Sequence, residues 1–348
     1  MNLRQNNKIE STSFPKAAQV AAFRRALLRW YDAHKRDLPW RGENDPYKIW
    51  VSEIMLQQTR VAVVFDRYSR FLKRFPTVRA LAAARVSSVL AEWSGLGYYR
   101  RARALHTAAG IVAREHGGRL PQSAAALAHL PGIGRYTAAA IASMAFGEAA
   151  PLVDGNVERV LQRFYGPSSV RTREDCWRHA GQLLHTRRPG DFNQAMMELG
   201  ATICLPVAPL CSRCPLAQLC RGRKQFSGPR RVQRANAAEA RRKVRVSYRV
   251  LLHDNHVYLV QRSANATLMP AMWELPPVGD RRVSLAQCVR LRHSITNTDF
   301  EVLAYLEKRG RASEIKSGLA TWVRVNRLNR LPLTGLARKI LRSFSLLD

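Results

Sequence analysis

One run constrains this chain more than any other: Leu130-Pro-Gly-Ile-Gly-Arg-Tyr-Thr-Ala-Ala-Ala-Ile-Ala-Ser143, followed shortly by Val153-Asp-Gly-Asn156. Gly132 and Gly134 permit a tight backbone turn and leave the neighbouring N–H groups unhindered. Such amides at the head of a helix form a cradle for a phosphate, and Arg135 adds positive charge beside it. The alanine-rich helix from Tyr136, ending near Gly147, can pack closely against a neighbour. Asp154 then places a carboxylate next to the cradle. The same glycines would also serve a helical hairpin held by packing alone, because glycine turns are common. The rest of the chain has to decide.

The charge narrows the choice. With 57 Lys and Arg against 25 Asp and Glu in 348 residues, the chain carries a net +32, far more than solubility needs. Polyanion binding is the simplest reading. Nucleic acid fits better than a membrane, since no run is apolar for long enough to span a bilayer. The N-terminal stretch lacks an apolar core of the secretory kind, so a cytoplasmic, reducing compartment is expected. At this length, one large domain or two ordinary ones are expected.

From Ala17 the positions Val20, Phe23, Leu27, Trp30 and Tyr31 recur at helical spacing. Asp45-Pro46 reads as an N-cap and first-turn proline. The helix it opens carries Val51-Ser-Glu-Ile-Met-Leu-Gln-Gln-Thr59, where Glu53 is surrounded by apolar residues. A lone Glu in such a helix usually lies at the solvent edge; partial burial here would raise its pKa and make it a proton donor. A helix from about Arg60 to Phe75 follows, and Thr77 caps another. Gly95-Leu-Gly-Tyr-Tyr-Arg-Arg-Ala-Arg103 interleaves tyrosines with arginines, which suits a surface that neutralises phosphates while a ring wedges between bases. A helix with a solvated basic face fits that segment equally well. Further helices are predicted near 156–164, 174–186 and 191–203, with Pro189-Gly190 separating the last two and Asp191 as the final cap.

Cys204, Cys211, Cys214 and Cys220 are spaced C-x6-C-x2-C-x5-C. In a reducing compartment such a cluster means metal before disulfide. Zinc and a [4Fe–4S] cluster both take four thiolates, and spacing alone does not separate them. Residues 226–245 read as a basic linker. From 246 the periodicity changes: alternation through Val250, a turn at Asp254-Asn255 and a second apolar run through Arg262 give a β-hairpin. Strands are expected over 300–306 and 320–325, and a closing helix over 334–345.

Taken together, the Leu130–Ser143 hairpin with Asp154, Glu53 within its SEIMLQQT run, and the cysteine spacing resemble the MutY family of adenine DNA glycosylases. That family belongs to the endonuclease III, or helix-hairpin-helix, superfamily. The resemblance runs from about residue 17 to the end. It implies a multidomain protein. An all-α glycosylase domain occupies 17–225, with the helix-hairpin-helix at 130–143 and an iron–sulfur loop at 204–220. The linker at 226–245 leads to an α+β Nudix-like domain at 246–348, of which Leu268-Met-Pro-Ala-Met-Trp-Glu-Leu-Pro276 is the local match. Residues 246–348 hold no cluster of glutamates at helical spacing, so Nudix hydrolase activity is not expected.

The implied reaction is removal of adenine mispaired with 8-oxoguanine or guanine in double-stranded DNA, after base flipping. By resemblance, Glu53 protonates adenine and Asp154 stabilises the cationic sugar. Asn156 orients sugar or water, and Tyr136 stands where bifunctional relatives carry a nucleophilic lysine. Arg41 and Gln194 match contacts to the flipped base, Gln58 and Tyr98 match residues that insert into the duplex, and Gly132 and Gly134 hold phosphate. The resemblance also favours a [4Fe–4S] cluster on Cys204, Cys211, Cys214 and Cys220. Ile295, Thr296 and Asn297 replace the Phe-Ser-His loop that reads 8-oxoguanine in the family; Thr296 keeps a hydroxyl and Asn297 a donor. A monomer is the default expectation, associated with the nucleoid. The alternatives are a glycosylase of the same fold acting on mismatched thymine, and a non-catalytic iron–sulfur lesion sensor.

Overall fold

The computed structural model describes residues 16–166, 169–226, 241–278, 288–295, 297–308 and 319–347. Among the described residues up to 226, every regular element is a helix. In order these are α1 (Ala17–His34), α2 (Pro46–Leu56), α3 (Val61–Arg74), α4 (Val78–Ala83), α5 (Val86–Glu92), α6 (Arg100–Glu115) and α7 (Ala124–Leu127). Then come α8 (Arg135–Ala145), α9 (Gly155–Tyr165), α10 (Arg173–Leu183), α11 (Pro189–Thr202) and the single turn α12 (Arg223–Phe226). Asp45 caps α2 by accepting from the Tyr47 N–H at 2.9 Å, and Thr77 caps α4 through the Ala80 N–H. Pro189 lies inside the first turn of α11 rather than before it, and Arg188, not Asp191, is the N-cap. A proline lacks only an N–H that the first turn cannot use.

The chain forms two compact units. One takes the chain to Glu53 and again from Leu120 to Gln233; the other takes Ile54–Arg119 and the chain from Arg234. In the first unit α1, α8, α9, α10 and α11 enclose one core, with Phe23, Leu27, Leu161, Phe164, Phe192 and Leu199 among its members. Phe23 meets Phe164 edge-on, ring centroids 4.8 Å apart. A Cβ on Gly190 would stand 2.8 Å from the Ser143 carbonyl, so only glycine lets the head of α11 come this close to α8.

The second unit carries a mixed sheet, joined by α13 (Gly335–Ser343). Its strands are β1 (Arg242–His253), β2 (His256–Gln261), β3 (Trp273–Glu274), β4 (Cys288–Ile295), β5 (Thr298–Lys308) and β6 (Ala320–Arg324). The order is β3-β2-β1-β5-β4, with β6 also on β2; β1 runs parallel to β5 and the other pairs are antiparallel. The β1–β2 turn holds Asp254 and Asn255 at φ 44° and 61°, the left-handed pair such a hairpin requires. One face buries Val250, Val257, Leu259 and Val302 under Leu336, Ile340 and Leu341 of α13. Strand β1 starts at Arg242, inside the stretch read as linker; residues 227–240 lie outside the described residues.

Candidate active site

The site grows from three helix ends of the first unit. At the hairpin, Gly132 takes φ +79°, and Gly134 is the N-cap of α8. Gly134 is exposed, and a Cβ there would meet nothing within 4 Å, so the head of α8 is open on that side, where a helix N-terminus suits a phosphate. Arg135 is not a free charge beside them: it pairs with Glu174 at 2.8 Å and lies 4.0 Å over the Trp177 ring.

In the first turn of α8, Tyr136 donates its hydroxyl to Glu53 Oε2 at 2.8 Å, and the same hydroxyl lies 3.1 Å from the Met197 sulfur. Glu53 is 5% exposed. Desolvation pushes its pKa up to about 7, against the Tyr136 hydrogen bond, which lowers it; the Asp154 charge raises it and the Arg41 charge lowers it. A carboxyl that is half protonated near neutral pH is an acid matched to its working pH. Burial also drives the Tyr136 hydroxyl well above its ordinary value, so it stays a donor.

Asp154 caps α9, accepting from the Val157 N–H at 2.7 Å. Its other oxygen accepts from Asn156 Nδ2 at 2.9 Å. Asn156 is held in turn by Arg159, which donates to its Oδ1 at 2.8 Å and to the Gly200 carbonyl at 2.7 Å. A Cβ at Gly200 would lie 2.5 Å from Asn156 Cβ, so the glycine is what admits this side chain. Asn156 therefore touches the carboxylate directly and fixes its orientation.

Arg41 and Gln194 do come together: Arg41 Nη1 donates to Gln194 Oε1 at 2.6 Å and to the Tyr31 hydroxyl at 3.0 Å. The sequence reading missed the anchor of this pair. Glu198, 2% exposed, accepts from Arg41 at 2.7 Å and from the Arg36 fork. Gln194, Met197 and Glu198 share one face of α11 at spacings of three and four, and that periodicity is the signal that could have found Glu198.

In the second unit Gln58 and Tyr98 are both exposed, at φ 55° and 45°. The arginines after Tyr98 correct the expectation of a phosphate-facing row. Arg100 is exposed, but Arg101 turns inward onto backbone carbonyls and Arg103 donates to the Pro270 carbonyl at 2.6 Å. Of the three residues read as the lesion-reading loop, Ile295 is the last residue of β4. Asn297 is an exposed turn residue whose carbonyl accepts from the Arg242 N–H, and Thr296 lies outside the described residues.

Cys204, Cys211, Cys214 and Cys220 line one small cavity together with Arg163 and Ile203. Arg163 Nη1 lies 3.4 Å from the Cys204 sulfur. Among the described residues, no three His, Cys, Asp or Glu side chains gather for a single metal ion. Cys176 is buried and Cys288 exposed, both apart from this cavity. No helix of the described residues is long and apolar enough to cross a membrane.

Comparison with known proteins shows what the chain is similar to. Residues 51–184 match the HhH-GPD superfamily of base excision DNA repair proteins. The chain is 50% identical over 225 residues to adenine DNA glycosylase of Homo sapiens, covering 61% of the chain and 41% of the human protein. It is 36% identical over 246 residues to adenine DNA glycosylase of Buchnera aphidicola subsp. Baizongia pistaciae, covering 69% of each. A solved thermostable thymine-DNA glycosylase superposes with a TM-score of 0.57 at 31% identity, over 60% of this chain and 98% of that one. The chain thus spans less than half the length of its human relative.

Proposed function

We propose that this chain, which belongs to the adenine DNA glycosylase family within the helix-hairpin-helix base excision repair superfamily, hydrolyses the N-glycosidic bond of adenine mispaired with 8-oxoguanine or guanine in duplex DNA. The observation that carries the reading is the buried Glu53 carboxyl, held by Tyr136 and within electrostatic reach of Asp154. One acid and one carboxylate are what an oxocarbenium-like departure needs.

The protonated Glu53 gives its proton to a ring nitrogen of the extruded adenine. The glycosidic electron pair leaves with the base, and the sugar becomes cationic. Asp154, steadied by Asn156 and the Val157 N–H, faces that cation. Water adds to the sugar carbon and its proton passes to the Glu53 carboxylate, which restores the acid. Tyr136 stands where a lysine would form a Schiff base, so strand cleavage is expected to be weak at most. Arg41 and Gln194 hold the adenine edge, the α8 amides hold a phosphate, and Gln58 and Tyr98 enter the stack beside the opposing base. The sheet of the second unit, read as Nudix-like, serves lesion readout through Asn297 and Thr296.

The four cysteines fit a [4Fe–4S] cluster. In support, all four line one cavity, and four thiolates are the ligand set such a cluster takes. Bound there, the cluster would fix a loop that has little core of its own. The purified protein is expected to be brown, with four acid-labile sulfides per chain on the order of cluster stoichiometry; a colourless protein containing stoichiometric zinc would refute the assignment.

The deciding measurement is release of free adenine from duplexes carrying adenine opposite 8-oxoguanine, guanine and cytosine. Release from the first two, and little from the third, is expected. Release of thymine opposite guanine instead would put the chain with the thymine-specific relatives, and binding without release of any base would make it a lesion sensor.

A further inference from the structure

Arg101 is a half-buried cation in an unfavourable place. It stands in the first turn of α6, where the helix dipole disfavours positive charge. Among the described residues it has no carboxylate partner: its two terminal nitrogens donate only to neutral oxygens, and its Nε is buried with no partner. Desolvation pushes its pKa down to about 10. A partly desolvated charge without a carboxylate partner is costly, and its hydrogen bonds offset that cost.

Those bonds join two segments. Nη1 donates to the carbonyls of Ile54 at 2.7 Å, Met55 at 3.0 Å and Gln57. Nη2 donates to Thr59 Oγ1 at 3.0 Å and to the carbonyls of Leu96 at 3.1 Å and Gly97 at 3.2 Å. The guanidinium also lies over the rings of Trp93, at 5.5 Å, and Tyr98, at 5.4 Å. Thr59 reinforces the link by donating to the Leu96 carbonyl. One segment carries Gln58 and the other Tyr98, and each of these exposed side chains stands on a left-handed backbone that non-glycine residues rarely adopt. Such conformations persist when their surroundings over-determine them. Here the shared guanidinium does so for both.

We infer that Arg101 is a positioning residue that locks Gln58 and Tyr98 into one two-pronged wedge, so that both enter the DNA stack in fixed register. The inference rests on the reading of those two residues as the duplex-inserting pair. A planar fork with five donors can reach both segments at once; the ammonium of a lysine cannot.

The test compares two substrates under single-turnover conditions with the full chain. One is adenine opposite guanine in an intact duplex, which has to be unstacked. The other is adenine opposite an abasic spacer, where little unstacking is left to do. For Arg101→Met the rate on the intact duplex is expected to fall about 100-fold, and at least about tenfold more than on the spacer duplex. Arg101→Lys, which keeps the charge, is expected to show the same substrate split at smaller size and keeps the test open should the methionine variant fail to fold. Equal losses on the two substrates would mean a merely structural role and would overturn the inference, as would no loss on either. Tyr98→Ala is the control: if it shows no substrate split, the wedge reading itself fails and the inference with it, whereas adenine release by the unaltered chain tests the catalytic reading separately.

Discussion

A Glu53→Gln variant is expected to bind mispaired duplex with little change in affinity and to release adenine about 1,000-fold more slowly. Gln keeps the shape and can still accept the Tyr136 hydroxyl, but it has no proton to give. The pH dependence follows from the same group. Glu53 works as the protonated acid and its pKa lies at about 7, so the rate falls as pH rises through about 7. Tyr136→Phe removes the hydrogen bond that holds this pKa down, and the alkaline limb should move to higher pH. Stability runs the other way for the glutamine variant. Between the ordinary carboxyl value of 4.5 and about 7 the folded chain holds a proton that the unfolded chain has lost, so wild-type stability declines with rising pH across that window. Above it, Glu53→Gln should be the more stable protein by roughly 3 kcal/mol. Turnover at the wild-type rate would remove Glu53 from the role of acid; an unchanged stability profile would mean that the carboxyl is hydrated in solution.

Much of this was legible in the residues because the signals are local. The hairpin glycines, the Thr77 cap and the Asp254-Asn255 turn each declare a backbone conformation within a few positions. Glu53 could be suspected from its apolar neighbours, but its burial depends on Tyr136, 83 positions away, and no spacing rule reports such a distance. Arg101 shows the limit most plainly. Charge and aromatic interleaving are the same for an arginine facing phosphate and one turned into the protein, so Arg100 and Arg101 read alike, and only the carbonyls of two other segments decide between them. In Cys288–Ile295 the apolar residues Val289, Leu291 and Ile295 do alternate.

The second large effect concerns Glu198, which carries no catalytic step. It is 2% exposed and accepts from two arginines, of which Arg41 keeps 11% of its side chain exposed and Arg36 keeps 40%. The two halves of this triad are not equivalent. Losing Arg36 leaves Glu198 still paired with Arg41, and the half-exposed partner contributes on the scale of a surface pair, under about 1 kcal/mol. Glu198→Gln leaves Arg41 charged inside the protein, with one guanidinium nitrogen already unpartnered, and is expected to cost about 3–5 kcal/mol in urea unfolding. It also frees Arg41 and Gln194 from a fixed orientation, so the surviving folded fraction should hold extrahelical adenine more weakly while keeping the alkaline limb that Glu53 sets. A Glu198→Gln loss no larger than that of Arg36→Met would show that Arg41 finds other anchors, and that the orientation of the base-holding pair is set by Tyr31 and the packing of α1 instead.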